Sequence, residues 1–403
     1  MKKKILLLGG SHNQIPAIKK AKEYNLYTIL CDYLPDNPGK KVADEFYQVS
    51  TTDKQAVLEI AKSKQIDFIF GYASDPAAPT AAFVSEKLHL PGNSAQSVEI
   101  LTKKHLYRNL LENYGFHTPR FVTAEGANIT SDMISGLTFP VVLKPVDSSD
   151  TKGVTLVKSI NEIHAAAEKA LNFSKVKKII IEEFIDCDTA DLHGDAFFIE
   201  GKMIFCMLGD RIYSSISNPL KPSTELYPSR KSENLTRKAK AEVKKIAEKS
   251  GFKNGAVNLE IKIDSEENIY VMEIGPRSGG TLTPQAIAYA TGFDMLDATF
   301  KWFTNSEITI PEQNITPTIL FALHVNDSGL FEDFMLEKKV QKYLKESHLY
   351  VEKGDELKPY SSAGSTIGVL IFTFHSMKEA EDVIDSLYHD VINSVRMKAK
   401  ICS

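Results

Sequence analysis

The segment "GAVNLEIKIDSEENIYVMEIGPRSGG", residues 255–280, constrains this chain more than any other stretch. Val257, Leu259, Ile261 and Ile263 alternate with Asn258, Glu260 and Lys262. After a polar turn, Tyr270, Met272 and Ile274 alternate with Val271, Glu273 and Gly275. A period of two belongs to half-buried strands, so the segment predicts a β-hairpin with one apolar and one polar face. With "DSEENI" as the turn and Asp264 opposite Ile269, the register sets Glu260 against Glu273 and Asn258 against Gly275.

Opposed side chains stand about 4.5–5.5 Å apart at Cβ, where like charges repel. Two readings fit with equal weight: the glutamates splay into water, or a cation lies between them. An all-oxygen site suits Mg²⁺ or Mn²⁺ better than zinc, and Mg²⁺ commonly combines one or two carboxylates with substrate phosphates. Arg277 follows in "GPRSGG". Glycines there let amides approach an anion, and the guanidinium either takes phosphate or carboxylate bidentately or sits on the surface beside a turn.

A second hairpin-like pattern, "FPVVLKPVDSSDTKGVTLV" (139–157), is interrupted. Its apolar run stops at Lys144-Pro145, passes Ser148, Ser149, Thr151, Lys152 and Gly153, and resumes. The sequence opens with "KKILLLGG" (3–10) as a buried strand, an amphipathic segment to about Tyr24, and "YTILCD" (27–32) as a second strand. Residues 54–65 follow as helix, 66–72 as strand, and another helix runs toward Leu88. Such alternation predicts a parallel sheet covered by helices. The Gly9-Gly10-Ser11-His12 turn lacks the G-x-G-x-x-G spacing, which counts against a dinucleotide-dependent oxidoreductase. Further helices are expected over 97–115, ended by Gly115 and Pro119, and over 234–251, ended by Gly251. From about Thr316, "TILFALHV", "STIGVLIFTF" and "SMKEAEDVIDSLYHDV" read as a small α+β unit.

At 403 residues the chain has room for two to three domains. No apolar run reaches the ~18 residues of a membrane span, and "ILLL" is too short for a secretion signal, so a cytoplasmic protein without membrane contact is expected. Net charge −4 argues against nucleic acid as the main partner. Cys31, Cys187, Cys206 and Cys402 show neither metal-ligand nor redox spacing and read as reduced thiols.

Taken in order, Lys144, the Lys152-Gly153 loop, the acidic strand end "IIIEEFI" (179–185) and the Glu…Glu-x-x-x-Arg hairpin supply a phosphate charge, a movable cover, an adenine edge and a metal. This order resembles the ATP-grasp superfamily over almost the whole chain, above all its biotin-carboxylase and phosphoribosylglycinamide-synthetase-like group. The resemblance implies an α/β and α+β multidomain fold. Its parts would be an N-terminal βαβ domain (1–100), a two-lobed ATP-grasp domain (101–305, lid lobe about 116–186) and a small C-terminal α+β domain (306–403).

For the site, the resemblance implies phosphate binding by Lys144 and by Lys104 (Lys103 being second choice) in "LTKKHLYR". Ser148, Ser149, Lys152 and Gly153 would form a closing loop, and Glu182 with the backbone of Glu183, Phe184 and Ile185 would read adenine. Glu260 and Glu273 would hold Mg²⁺ or Mn²⁺, with Arg277 on phosphate or substrate. The family's usual Asn two residues after the second glutamate is Gly275 here, and Asn258 opposite could fill that place as a third ligand. The usual ribose glutamate is also missing, leaving Asp191 as candidate. His193 reads as structural, and Asp210 and Arg211 either line the acceptor pocket or pair on a hairpin. Ser11 to Asn13 and Ser74-Asp75, at strand ends, would meet the substrate other than ATP. The implied activity is ATP-dependent, ADP-forming ligation of a small carboxylate to an amine, for example phosphoribosylamine–glycine ligation. A homodimer is compatible with it. A non-catalytic nucleotide-binding protein, the other alternative, would be expected to lose the metal carboxylates, and both are present.

Overall fold

In the computed structural model, residues 2–148, 151–187, 190–213, 221–312, 314–361 and 365–398 are described. The first unit is β1 (Lys4–Leu8), α1 (Ile15–Glu23), β2 (Tyr27–Asp32), β3 (Glu45–Gln48), α2 (Lys54–Lys64), β4 (Phe68–Phe70) and α3 (Ala78–Leu88). Its four strands run parallel in the order β3-β2-β1-β4. The continuous "ILLL" run follows from burial on both sheet faces, since Ile5, Leu6, Leu7 and Leu8 are all at most 2% exposed.

The expected 97–115 helix is broken. Lys103 adopts an extended conformation (φ −98°, ψ 107°) between α4 (Ala95–Thr102) and α5 (Lys104–Asn113), so Lys104 stands at the start of a new helix. Next comes a four-stranded lobe, β5 (Phe121–Glu125), β6 (Val141–Pro145), β7 (Thr155–Val157), α6 (Ile163–Phe173) and β8 (Lys178–Glu183), in the order β5-β8-β6-β7. The interrupted pattern is a hairpin, with Val141 opposite Val157.

The chain continues through β9 (Asp191–Ile199), β10 (Lys202–Ile212), β11 (Thr224–Tyr227), α7 (Glu233–Ser250), β12 (Gly255–Ile263), β13 (Ile269–Gly275), α8 (Thr283–Thr291) and α9 (Met295–Thr304). Its last portion is β14 (Thr318–Leu323), β15 (Gly329–Phe334), α10 (Lys338–Gln341), β16 (Leu344–Leu349), β17 (Glu356–Leu357), β18 (Gly368–Thr373), α11 (Met377–Ile392) and β19 (Val395–Lys398). Eight strands form one sheet, β13-β12-β9-β10-β11-β14-β18-β16, and β15, β17 and β19 form a smaller one. Strands on both sides of residue 305 therefore share a sheet. No helix among the described residues is long and apolar enough to cross a membrane.

Candidate active site

The β12–β13 hairpin sets Glu260 opposite Glu273 and Asn258 opposite Gly275, the expected pairs, by a different route. The turn is one residue longer on the β12 side, with Ile263 rather than Asp264 opposite Ile269, and Ile261 faces Val271. Met272 is then the extra residue of a β-bulge, which restores the register before Glu273. The buried apolar residues of β13 are accordingly Ile269, Val271 and Ile274, correcting the uninterrupted alternation read from the sequence.

Cross-strand register carries this polar face onward. Glu260 lies beside His193 and Asn258 beside Asp195 on β9, and Arg211 of β10 lies beside Glu225 of β11. Arg211 reaches over to donate from Nη1 to Glu260 Oε1 at 2.7 Å. Burial raises the Glu260 carboxyl, but Arg211 outweighs it and holds the group down at about 2. Glu273 has no such partner among the described residues, and burial together with the charge of Glu260 pushes its carboxyl up. One carboxylate is thus compensated and its neighbour is short of a cation.

Beneath them lies a closed polar network. His193 Nδ1 is 2.9 Å from Glu225 Oε1, Tyr227 and Thr283 hydroxyls donate to Glu225 Oε2, and Asn258 Nδ2 is 2.9 Å from His193 Nε2. This arrangement protonates His193 at Nδ1 and fits its structural reading. Asn258 Nδ2 also donates to Asp195 Oδ1 at 2.8 Å, so only its Oδ1 is left for a cation. Asp195 accepts the Gly279 amide, and burial pushes its carboxyl up to about 6. Asp210, next to Arg211, points the other way to Ser229 and Arg230, so the two do not pair with each other.

A second charged group lies against the first. Glu182, expected at an adenine edge, is 1% exposed and paired with Lys144 and with Arg108, whose Nε donates at 2.9 Å. Despite burial, these two cations hold Glu182 at about 2. Lys144 is pushed down by burial and by the charges of Arg108 and Lys104, which outweigh Glu182. Lys104 donates from Nζ to the Ser148 carbonyl at 2.6 Å and is close enough for its charge to act on Glu273. Two cations, Arg108 and Lys144, thus pair with one carboxylate, leaving a buried surplus of positive charge beside Lys104.

Other expected residues are differently engaged. The amides of Glu183 and Phe184 donate to the carbonyls of Arg120 and Pro140, and the Glu183 carboxylate takes Arg120 and the Thr138 amide. The Ile185 amide has no partner among the described residues. Asp191 is held by Lys262 (3.2 Å) and the Tyr213 hydroxyl (2.9 Å). Lys152 is exposed, Gly153 packs against Phe173 and Pro145, and Ser149 lies outside the described residues. Arg277 is clamped by Asp75, Nε at 2.6 Å and Nη2 at 2.8 Å, while its Nη1 donates to the Ser278 carbonyl. His12 stacks on Tyr350 at 4.6 Å, bringing the first βα loop to the C-terminal portion. In that loop the Gly10 amide donates to Asp32, whose other oxygen takes the Leu34 amide, so the carboxylate at the end of β2 is already used within the turn.

Sequence reasoning missed Arg108 and Glu225 and left Arg211 between two roles. Arg108 had a local signal: it stands four residues after Lys104, on the same helix face. Glu225 had none, because its partners come together only through sheet register.

Residues 137–285 match the ATP-grasp domain. Over 391 residues the chain is 25% identical to a formate-dependent phosphoribosylglycinamide formyltransferase of Prochlorococcus marinus, covering 95% of this chain and 96% of that one. The fold is shared with an L-amino acid ligase from Bacillus licheniformis (TM-score 0.82, 20% identity, 99% of each chain). It is shared also with a phosphoribosylglycinamide synthetase from Anaerococcus prevotii (TM-score 0.78, 20% identity, 99% of this chain and 100% of that one). The matched segment contains Lys144, Glu182, Glu260, Glu273 and Arg277, so residues 137–285 carry an ATP-grasp domain.

Proposed function

We propose that this protein is an ATP-dependent carboxylate–amine ligase that works through an acyl phosphate and releases ADP and phosphate. The observation that carries the reading is the adjacency of two uncompensated charges of opposite sign. Lys144 and Arg108 outnumber Glu182, while Glu273 stands beside Glu260 with no ion-pair partner among the described residues. MgATP supplies both missing charges. The donor set also fits, since the carboxylates of Glu260 and Glu273 stand opposite each other across the hairpin. Two carboxylates completed by phosphate oxygens and water is an ordinary Mg²⁺ arrangement.

Glu260 and Glu273 would hold the ion, with Asn258 Oδ1 as a further oxygen. Bound Mg²⁺ offsets charge on the phosphoryl oxygens. Lys104 and Lys144 do the same from the other side, and the segment around Lys152 and Gly153 keeps water from the intermediate. The substrate carboxylate oxygen attacks the γ-phosphorus and ADP leaves; the amine then attacks the acyl carbon, loses its proton and expels phosphate. Arg277, already held by Asp75, retains an N–H on each of Nη1 and Nη2 for the acyl phosphate or its precursor. No protein nucleophile is required. We place the reaction in the cytoplasm, with small-molecule substrates and no nucleic acid or membrane partner.

The test is an ADP-release screen over carboxylates, amino acids and formate among them, each with and without candidate amines. ADP and phosphate should form with an equal amount of amide, and hydroxylamine should trap the activated acid when the amine is omitted. AMP with pyrophosphate as the coupled product would overturn the reading.

A further inference from the structure

The metal carboxylates face each other only because β13 carries one extra residue. From Ile269 to Val271 the strand pairs with β12 in one register, and from Glu273 onward in the next. Without the bulge at Met272, Glu273 would stand opposite Leu259, on the apolar face, because a slip of one residue turns every side chain to the other side of a sheet. A bulge on an edge strand has little of its own to hold it, and β13 is the edge of the eight-stranded sheet.

Two neighbouring side chains of α5 hold this one. Tyr107 Oη donates to the Val271 carbonyl at 2.9 Å, and Arg108 Nη1 donates to the Met272 carbonyl at 2.9 Å. Both residues are at most 2% exposed, so the bonds form away from competing water. The other edge of the Arg108 guanidinium, Nε and Nη2, takes both oxygens of Glu182, which in turn pairs with Lys144. One planar group therefore spans the lysine cluster and the strand that aims Glu273, about as rigidly as a side chain can.

We infer that Tyr107 and Arg108 form a positioning clamp that fixes the β13 bulge, so that the Glu260–Glu273 pair is set for a divalent cation and is coupled to the lysines of the nucleotide site. This rests on the ligase reading above. Neither residue touches the reacting atoms. Their effect is on how well the pair holds metal, and only through it on turnover.

The decisive comparison uses the full chain with Tyr107→Phe, which keeps the ring and removes only the Oη donor, and Arg108→Lys, which keeps a charge for Glu182 but cannot also reach Met272. Mn²⁺ binding in the presence of ADP is read by electron paramagnetic resonance, beside ADP binding without metal and hydrogen exchange over residues 269–275. Each variant should bind Mn²⁺ about fivefold more weakly, the factor that one net hydrogen bond is worth, with ADP binding in the absence of metal changed by less than about twofold for Tyr107→Phe. Exchange should rise at Met272 and Glu273 before it rises at Ile269. Unchanged Mn²⁺ affinity in Tyr107→Phe, with wild-type protein binding Mn²⁺ and ADP normally, would overturn the clamp and leave the ligase reading standing. Failure of the wild-type protein to bind Mn²⁺ with ADP would overturn the reading beneath it.

Discussion

Replacing Lys144 by Met should separate stability from binding. In the nucleotide-free protein Lys144 is the second cation on one carboxylate, and Glu182 keeps two hydrogen bonds from Arg108 when Lys144 is gone. No buried charge is orphaned, so folding stability should change by less than about 1 kcal/mol in either direction. Glu182→Gln is the opposite case: it leaves the buried Arg108 and Lys144 without the carboxylate they pair with and should cost about 3–5 kcal/mol. For a folding unit of this size that is roughly 6–20 °C in melting temperature, against about 2–4 °C at most for Lys144→Met. Binding should reverse the contrast. Losing one charge-assisted contact to phosphate costs about 1.5–3 kcal/mol, or roughly 10- to 150-fold in ATP affinity for Lys144→Met. Thermal unfolding without nucleotide and calorimetric ATP titration read the two quantities separately. A Lys144→Met protein as destabilised as Glu182→Gln, with undiminished ATP affinity, would refute the surplus-charge argument.

Four further outcomes are expected. Glu260→Gln and Glu273→Gln should both abolish metal-dependent ADP release, but thermal unfolding should separate them. Glu273→Gln relieves a like-charge contact and should be neutral or stabilising, whereas Glu260→Gln deprives Arg211 of its closest partner and should cost about 1–3 kcal/mol. Normal metal-dependent turnover in either would remove the pair from the metal site. Because Glu182 is held at about 2 in the fold, below the usual carboxylate range, its contribution is present above about pH 4.5 and is lost as pH falls toward 2. That contribution is on the order of 3 kcal/mol, and Glu182→Gln should lack this part of the acid-unfolding limb that wild type shows. Gly153 has φ +75°, and a Cβ there would meet Phe173 at 3.0 Å and Pro145 at 3.1 Å. Gly153→Ala should therefore cost about 1 kcal/mol or more in melting experiments. In wild type the Thr151 to Gly153 amides should gain exchange protection on adding ATP and Mg²⁺; equal protection with and without them would argue against a closing loop.

Patterns of one period were readable along the chain. The "ILLL" and "YTILCD" strands, the helices over 54–64 and 233–250, and the final helix from Met377 declare themselves by apolar runs, amphipathicity and the helix end at Gly251. The facing glutamates were readable too, although the expected turn was one residue too short and the bulge at Met272 made up the difference. A break at Lys103 left no pattern, because the apolar positions of α4 and α5 keep helical spacing across it. What could not be read were partners far apart in sequence. Arg108 meets Glu182 across 74 residues and Met272 across 164, Arg211 meets Glu260 across 49, and Arg277 meets Asp75 across 202. A motif names a residue type at a strand end, but sheet register decides whether its side chain faces a ligand or a neighbour. Glu182, with both oxygens on cations, and Asp191, held by Lys262 and Tyr213, are where that distinction matters most.

If a substrate carboxylate attacks the γ-phosphorus at the site gathered by Lys144, Glu260, Glu273 and Arg277, one of its oxygens must leave with the phosphate. With an accepted carboxylic acid labelled with ¹⁸O in its carboxylate, each turnover with ATP, Mg²⁺ and amine should move one ¹⁸O into the released phosphate, alongside ADP and amide in equal amounts. Unlabelled phosphate, or label recovered in AMP, would contradict that attack.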